Sequence, residues 1–164
     1  MNDTSIFYSA TFGELNLSGV VEKVGNYIHS EPKYKYRVII GTDSQDHQNG
    51  IRFADFVSAI VVHRVGAGGV YFWQRERVEK VWSLKERIYE EAYRSLKLSQ
   101  DLVVQFQEKG SLADFHLEVH VDIGEKGETR TIINEVIGMI RGSGFEVKIK
   151  PDSFAASKVA DRHT

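Results

Sequence analysis

The sequence predicts an α/β fold with a mixed five-stranded sheet flanked by helices. Three observations carry this. The first half holds three β-rich runs separated by short polar or glycine-rich turns, the pattern of antiparallel hairpins. The second half alternates helical and β periodicity, which implies strands joined through helices. A further helical segment precedes the first strand.

Taken in order, Leu17 to His29 places Leu17, Val20, Val21, Val24 and Ile28 at helical spacing, with Ser18 as its expected cap and Glu31-Pro32 as its stop. Tyr36 to Gly41 is a short β-rich run, and Ser44 to Gly50 reads as a polar loop. Phe53 to Val65, containing FVSAIVVHRV, is a second strand. Gly66 to Gly69 is a hairpin turn leading to a third, Val70 to Val78. From about Lys80 to Gln107 the pattern is helical, with Leu84, Ile88, Glu91, Ser95, Leu98 and Leu102 in one narrow arc. Phe115 to Val121 alternates as a fourth strand. Thr129 to Arg141 is a helix ended by Gly142 to Gly144, and Phe145 to Ile149 is the fifth strand. Asp152 or Ser153 caps a short last helix. No repeat or low-complexity tract interrupts the 164 residues, which the length prior assigns to one domain over 1–164.

Composition narrows the function. Hydrophobic residues make up 41% and charged residues 27%, the balance of an ordinary globular protein. There is no cysteine, so disulfides and thiolate metal sites are excluded; this fits a reducing, cytoplasmic setting. No run approaches the ~20 apolar residues that a membrane span needs, and the first residues do not form a signal peptide. A net charge of -2 excludes coating nucleic acid by bulk attraction, so any such contact must be local.

The chemistry is expected from four acids. Asp43 closes the apolar run RVIIGTDSQ, and Asp122 closes LEVHVDIG. Ligand sites in open α/β sheets gather at the carboxyl ends of strands. An Asx-turn explains Asp43 alone equally well, and for Asp122 the downstream Gly124 and Gly127 favour the turn. Glu91 is the stronger signal, because it sits inside the apolar arc of the long helix while Glu86 and Glu90 point away. An arginine-paired glutamate at the core edge is the alternative, with Arg87 one turn earlier. Asp161, by periodicity, belongs to the solvated side of the closing segment. His63 and His120 occupy strand positions, and no His-x-x-x-His pair suggests zinc. Oxygen-only ligands favour Mg²⁺ or Mn²⁺.

Five segments, in order, resemble the YkuK family of RNase H-like proteins: FYSATFG, IIGTDSQ, RIYEEAYRSL, HVDIGEKGETR and IKPDSFAASKVADRHT. Together they span Phe7 to Thr164. The resemblance implies an RNase H-like fold with strands one to three antiparallel and an added N-terminal helix. It also implies four catalytic, metal-binding acids that fall by motif position on Asp43, Glu91, Asp122 and Asp161, with Glu90 as the fallback if the helix register differs. The implied activity is metal-dependent hydrolysis of phosphodiester bonds in RNA, DNA or their hybrid, with one or two divalent ions about 4 Å apart bridging the scissile phosphate. His163 and His47 are candidate proton relays, and Arg130, Lys158 and Arg162 are candidate phosphate contacts. Two other readings compete. RNase H-like folds are reused as non-catalytic binding modules. VDIGEKGET also resembles the phosphate turns of actin-like ATPases, which need a second domain. The strand Val70 to Val78, if it lies at a sheet edge, could pair with a second copy.

Overall fold

The computed structural model describes residues 4–110, 114–153, 158–159 and 162–163. Its elements are β1 (Phe7–Ser9), β2 (Gly13–Leu15), α1 (Leu17–Ser30), β3 (Tyr36–His47), β4 (Phe53–Arg64), β5 (Gly69–Glu79), α2 (Leu84–Glu108), β6 (His116–His120), a 3₁₀ turn (Glu128–Ile132), α3 (Ile133–Gly142) and β7 (Glu146–Lys148). The strands form one sheet in the order β2-β1-β5-β4-β3-β6-β7. The β3–β4 and β4–β5 pairs are antiparallel, whereas β6 joins β3 and β7 joins β6 in parallel. This is the expected mixed sheet with helical crossovers, enlarged from five strands to seven.

The two additional strands are the N-terminal hairpin β1–β2. Each is three residues long, too short for alternation to register in the sequence. They correct a second expectation. Tyr8 pairs with Trp73, so β5 is flanked on both sides and the sheet edges are β2 and β7, not the strand from Val70 to Val78. The open edge that this strand was expected to offer a second copy is thus occupied by β1 at Trp73.

Other boundaries moved for local reasons. β3 continues through Ser44 to His47, because antiparallel pairing with β4 runs unbroken to His47–Phe53 and overrides the polar composition of that stretch. The cap of α1 is Asn16, whose Oδ1 accepts the Gly19 N–H at 2.8 Å, rather than Ser18. α2 begins at a capping box in which Ser83 and Glu86 satisfy each other's backbone N–H groups. Gly66 and Gly68 hold φ of +81° and +83° in the β4–β5 turn, a region glycine enters without a Cβ penalty.

α1, α2 and α3 pack on one face of the sheet. Val38 and Ile40 of β3, Ile60 and Val62 of β4 and Phe72 of β5 meet α1 through Val20 and Val24 and α2 through Leu98 and Leu102. Val119 and Val121 meet Ile88 and Ala92 of α2 and Val136 and Ile140 of α3. Side chains alternate along a strand, so Arg37, Ile39, Gly41 and Asp43 belong to the second face, along with His116, Glu118 and His120. On that face His163, in the closing segment, stacks on Trp73 of β5 with ring centroids 4.1 Å apart.

Leu102 is fully buried in this core, while Val104, two residues on, is 48% exposed. Leu102→Ala is expected to cost about 2–5 kcal/mol in urea unfolding, and Val104→Ala less than ~0.5 kcal/mol.

Candidate metal centre between β3, β6 and α2

α2 runs antiparallel to β3, and the two rises nearly match. Four helical residues advance about 6 Å and two strand residues about 6.6 Å. Residues four apart on α2 therefore meet residues two apart on β3. Ser95 donates to Thr42 Oγ1 at 2.9 Å, and Thr42 shares a second contact of 2.9 Å with Ser58 of β4. One step farther, Ser44 Oγ donates to Glu91 Oε1 at 2.5 Å. Ser99 Oγ returns its hydrogen to the Ser95 carbonyl at 2.8 Å. These small hydroxyl side chains let the helix lie close to the strand and fix which α2 residue arrives at the strand end.

That residue is Glu91, which is only 7% exposed. Burial is the main cause of its carboxyl being pushed from an ordinary 4.5 up to about 8. The hydrogen bond from Ser44 opposes this, the negative charge of Asp43 adds to it, Arg87 opposes it, and Asp122 adds to it again. Glu91 thus lies within the fields of both strand-end aspartates. Glu90, the fallback, instead faces Arg94, with Oε1 2.9 Å from Nε.

Asp43 and Asp122 are placed by register. Gly41 of β3 is the parallel partner of His120 of β6. Continuing that register by two residues brings Asp43 alongside Asp122. Asp43 Oδ1 accepts the Ser44 N–H at 2.9 Å, the local contact of the turn reading, within a strand rather than a turn. Asp122 follows the last residue of β6 and receives Lys150 Nζ at 3.1 Å. It opens on a cleft of about 670 Å³ shared with Gly124, Glu125, Lys126, Lys150 and Asp152.

The other expected residues are distributed unevenly. Arg130 is exposed on the 3₁₀ turn and lines a shallow hollow with Glu125, which it shares with the Asp122 cleft. Lys158 and Arg162 are exposed. Arg75 donates to the His163 carbonyl, and burial followed by the charges of Arg162 and Arg75 holds the His163 ring below its ordinary pKa. His47 lies four residues beyond Asp43, about 13 Å along the strand. There its Nε2 meets Asp55 Oδ2 at 3.2 Å and its ring stacks on Phe53. That contact ties it to a structural carboxylate that Arg77 also holds at 3.1 Å. Asp161 lies outside the described residues.

Three groups at this site had no role in the sequence reading, or a different one. Ser44, which its polar surroundings place in a loop, alternates in β3 with Thr42 on the α2 side. Arg87, expected as a direct partner of Glu91, donates instead to Ser44, at 3.2 Å to Oγ and 3.4 Å to the carbonyl. Lys150 sits immediately before Pro151 and gave no signal, since its approach to Asp122 depends on β7 pairing with β6.

The Ribonuclease H-like family model matches residues 19–164. The chain belongs to that family. It is also 34% identical over 176 residues to the uncharacterized protein YkuK of Bacillus subtilis (strain 168), covering 100% of this chain and 99% of that protein. No solved structure gives a significant match. RNase H-like membership agrees with the parallel β3–β6 pair, the helical crossovers and the central antiparallel strands. Among the described residues no helix is long and apolar enough to cross a membrane.

The raised Glu91 carboxyl has a signed consequence. Between pH 4.5 and about 8 the folded chain holds this proton more tightly than the unfolded chain, so the Glu91 contribution to stability is complete below pH 4.5 and is lost as pH rises toward 8. Without added divalent ion, Glu91→Gln should match the parent near pH 5 and unfold at a higher temperature near pH 8.5, by at least about 1 kcal/mol in stability. Equal melting temperatures at both pH values would contradict the raised value.

Proposed function

We propose that this chain is a metal-dependent phosphodiester hydrolase acting on nucleic acid, formed by one RNase H-like domain over 1–164 and working in the cytoplasm. The observation that carries the reading is the coupling of three carboxyl groups from three elements. Burial pushes Glu91 toward its neutral form and the charges of Asp43 and Asp122 add to it, an arrangement that a divalent cation relieves. The donor set fits such an ion: it is all oxygen, spans the adjacent strands β3 and β6 and borders an open cleft. Hard oxygen donors suit Mg²⁺ or Mn²⁺. Asp43, Glu91 and Asp122 would hold the cation, and Asp161 joins them through family position alone.

When bound, the cation would supply Lewis acidity toward a phosphate oxygen and an activated water at neutral pH. The chain's own groups supply positioning. Ser44 holds the Glu91 carboxyl through Oε1, and Arg87 holds Ser44 in turn, so the helix acid keeps one orientation. Lys150 neutralises part of the Asp122 charge and, half exposed at the cleft, can transfer to a substrate phosphate. Arg130 stands farther out, suited to the backbone of the same strand. These cations are local, as the overall charge of -2 requires.

A non-catalytic nucleic-acid-binding module is the second reading. Its support is that Lys150 and the Ser44–Arg87 pair already offset part of the acids' charge.

Labelled DNA, RNA and hybrid substrates, incubated with Mg²⁺, Mn²⁺ or EDTA, separate the two. The hydrolase reading expects metal-dependent cleavage that falls at least about 100-fold in both Asp43→Asn and Asp122→Asn, with circular dichroism unchanged. Binding without cleavage in every arm would support the module instead.

A further inference from the structure

The amino end of β6 carries a second donor cluster, remote from the acids already described. His116 and Asp122 are six residues apart, about 20 Å along an extended chain. His116 and Glu118 alternate onto the same face of β6. Glu146 of β7 is the parallel register partner of Glu118, so it stands beside it on that face. One ligand atom from each of His116, Glu118 and Glu146 lies within 4.8 Å of the others. All three sit on paired strands, which fix their separation more rigidly than loops would.

The two carboxylates divide their oxygens in the same way. Glu118 Oε1 is engaged by Arg37 and by His120 Nε2 at 3.2 Å, leaving Oε2 turned to His116 Nε2 at 3.8 Å. Glu146 Oε1 takes Lys148 at 3.0 Å, while its Oε2 meets the same His116 nitrogen. One oxygen of each acid is held from behind and the other converges on one imidazole. Carboxylates at metal centres are oriented in this way by hydrogen-bonding groups outside the ligand set. Glu118 is buried, and His116 and Glu146 are exposed, so the cluster has a closed floor and an open mouth.

We propose that His116, Glu118 and Glu146 form a three-ligand site for a borderline divalent transition cation, zinc foremost, with its remaining coordination open to solvent. One imidazole with two carboxylates suits zinc better than magnesium, which prefers oxygen and water. The cation takes the place of a proton between His116 Nε2 and Glu146 Oε2. The site is independent of the acids at the other end of the strands.

The untagged chain is titrated with ZnCl₂ by calorimetry at pH 7.5 in millimolar MgCl₂, which occupies oxygen-only sites. One equivalent of zinc should bind the parent and the Asp122→Asn protein alike. His116→Ala and Glu146→Gln, both at exposed positions and checked for an unchanged circular dichroism spectrum, should each weaken it by more than about tenfold. No zinc binding by the parent, or undiminished binding by both variants, overturns the proposal. So does zinc binding that survives His116→Ala but is lost in Asp122→Asn, a result that would leave the carboxylate reading of the other end intact.

Discussion

The fit of α2 along β3 is the constraint on which the rest of this protein depends. A helix and a strand have different repeats, and they stay in step only where four residues of one match two of the other. Here Thr42 and Ser44 meet Ser95 and Glu91. The same alignment continues inward as Val38 and Ile40 against Leu98 and Leu102. The apolar end supplies burial, roughly 1.5–3 kcal/mol for each fully buried aliphatic side chain. The hydroxyl end supplies register. A shift of α2 by one residue would turn Glu91 about 100° away from the strand end and leave Ser44 and Thr42 buried beside apolar groups.

That register sets the electrostatics. β6 stops just short of Asp122, which lies level with Asp43 inside β3, and the helix delivers a glutamate from the first face of the sheet. The glutamate is buried, so its charge is disfavoured twice, by lost hydration and by the two aspartates. Ser44 and Arg87 offset part of this without removing it. A folded chain that keeps such a cost spends stability at one locus, the pattern of a site arranged for a ligand rather than for packing. Elsewhere acids meet cations: Asp55 with Arg77 and His47 and Glu118 with Arg37 on the sheet, and Glu90 with Arg94 on α2.

How much of this was legible in the sequence follows from the range of each interaction. α1 and α2 were clear because periodicity over three or more turns survives local noise, and Glu91 stood out because it breaks an apolar arc. β1 and β2 were not, since three residues cannot show a period and their pairing is made by contact with β5. The strand character of Ser44 to His47 was hidden by polar side chains and decided by β4 across the ladder. The strand-end aspartates were visible individually, but their adjacency is a property of the β3–β6 register, which no local pattern encodes. The same holds for Lys150 on Asp122 and for Glu146 beside Glu118, both products of β7 docking on β6. The family resemblance proposed the order of the acids along the chain. It carried no information about Ser44 and Arg87, which hold Glu91 in place.

The central claim is that Asp43, Glu91 and Asp122 act as one electrostatic unit. The most direct test is to titrate the Glu91 side-chain carboxyl by carbon-13 NMR in the metal-free chain and in Asp43→Asn and Asp122→Asn. An apparent pKa near 8 is expected in the parent, lowered in each variant yet still above 4.5, because burial outlasts the loss of either neighbour. A Glu91 titration that stays in place when both aspartates are neutralised in turn would show that the three acids do not sense one another.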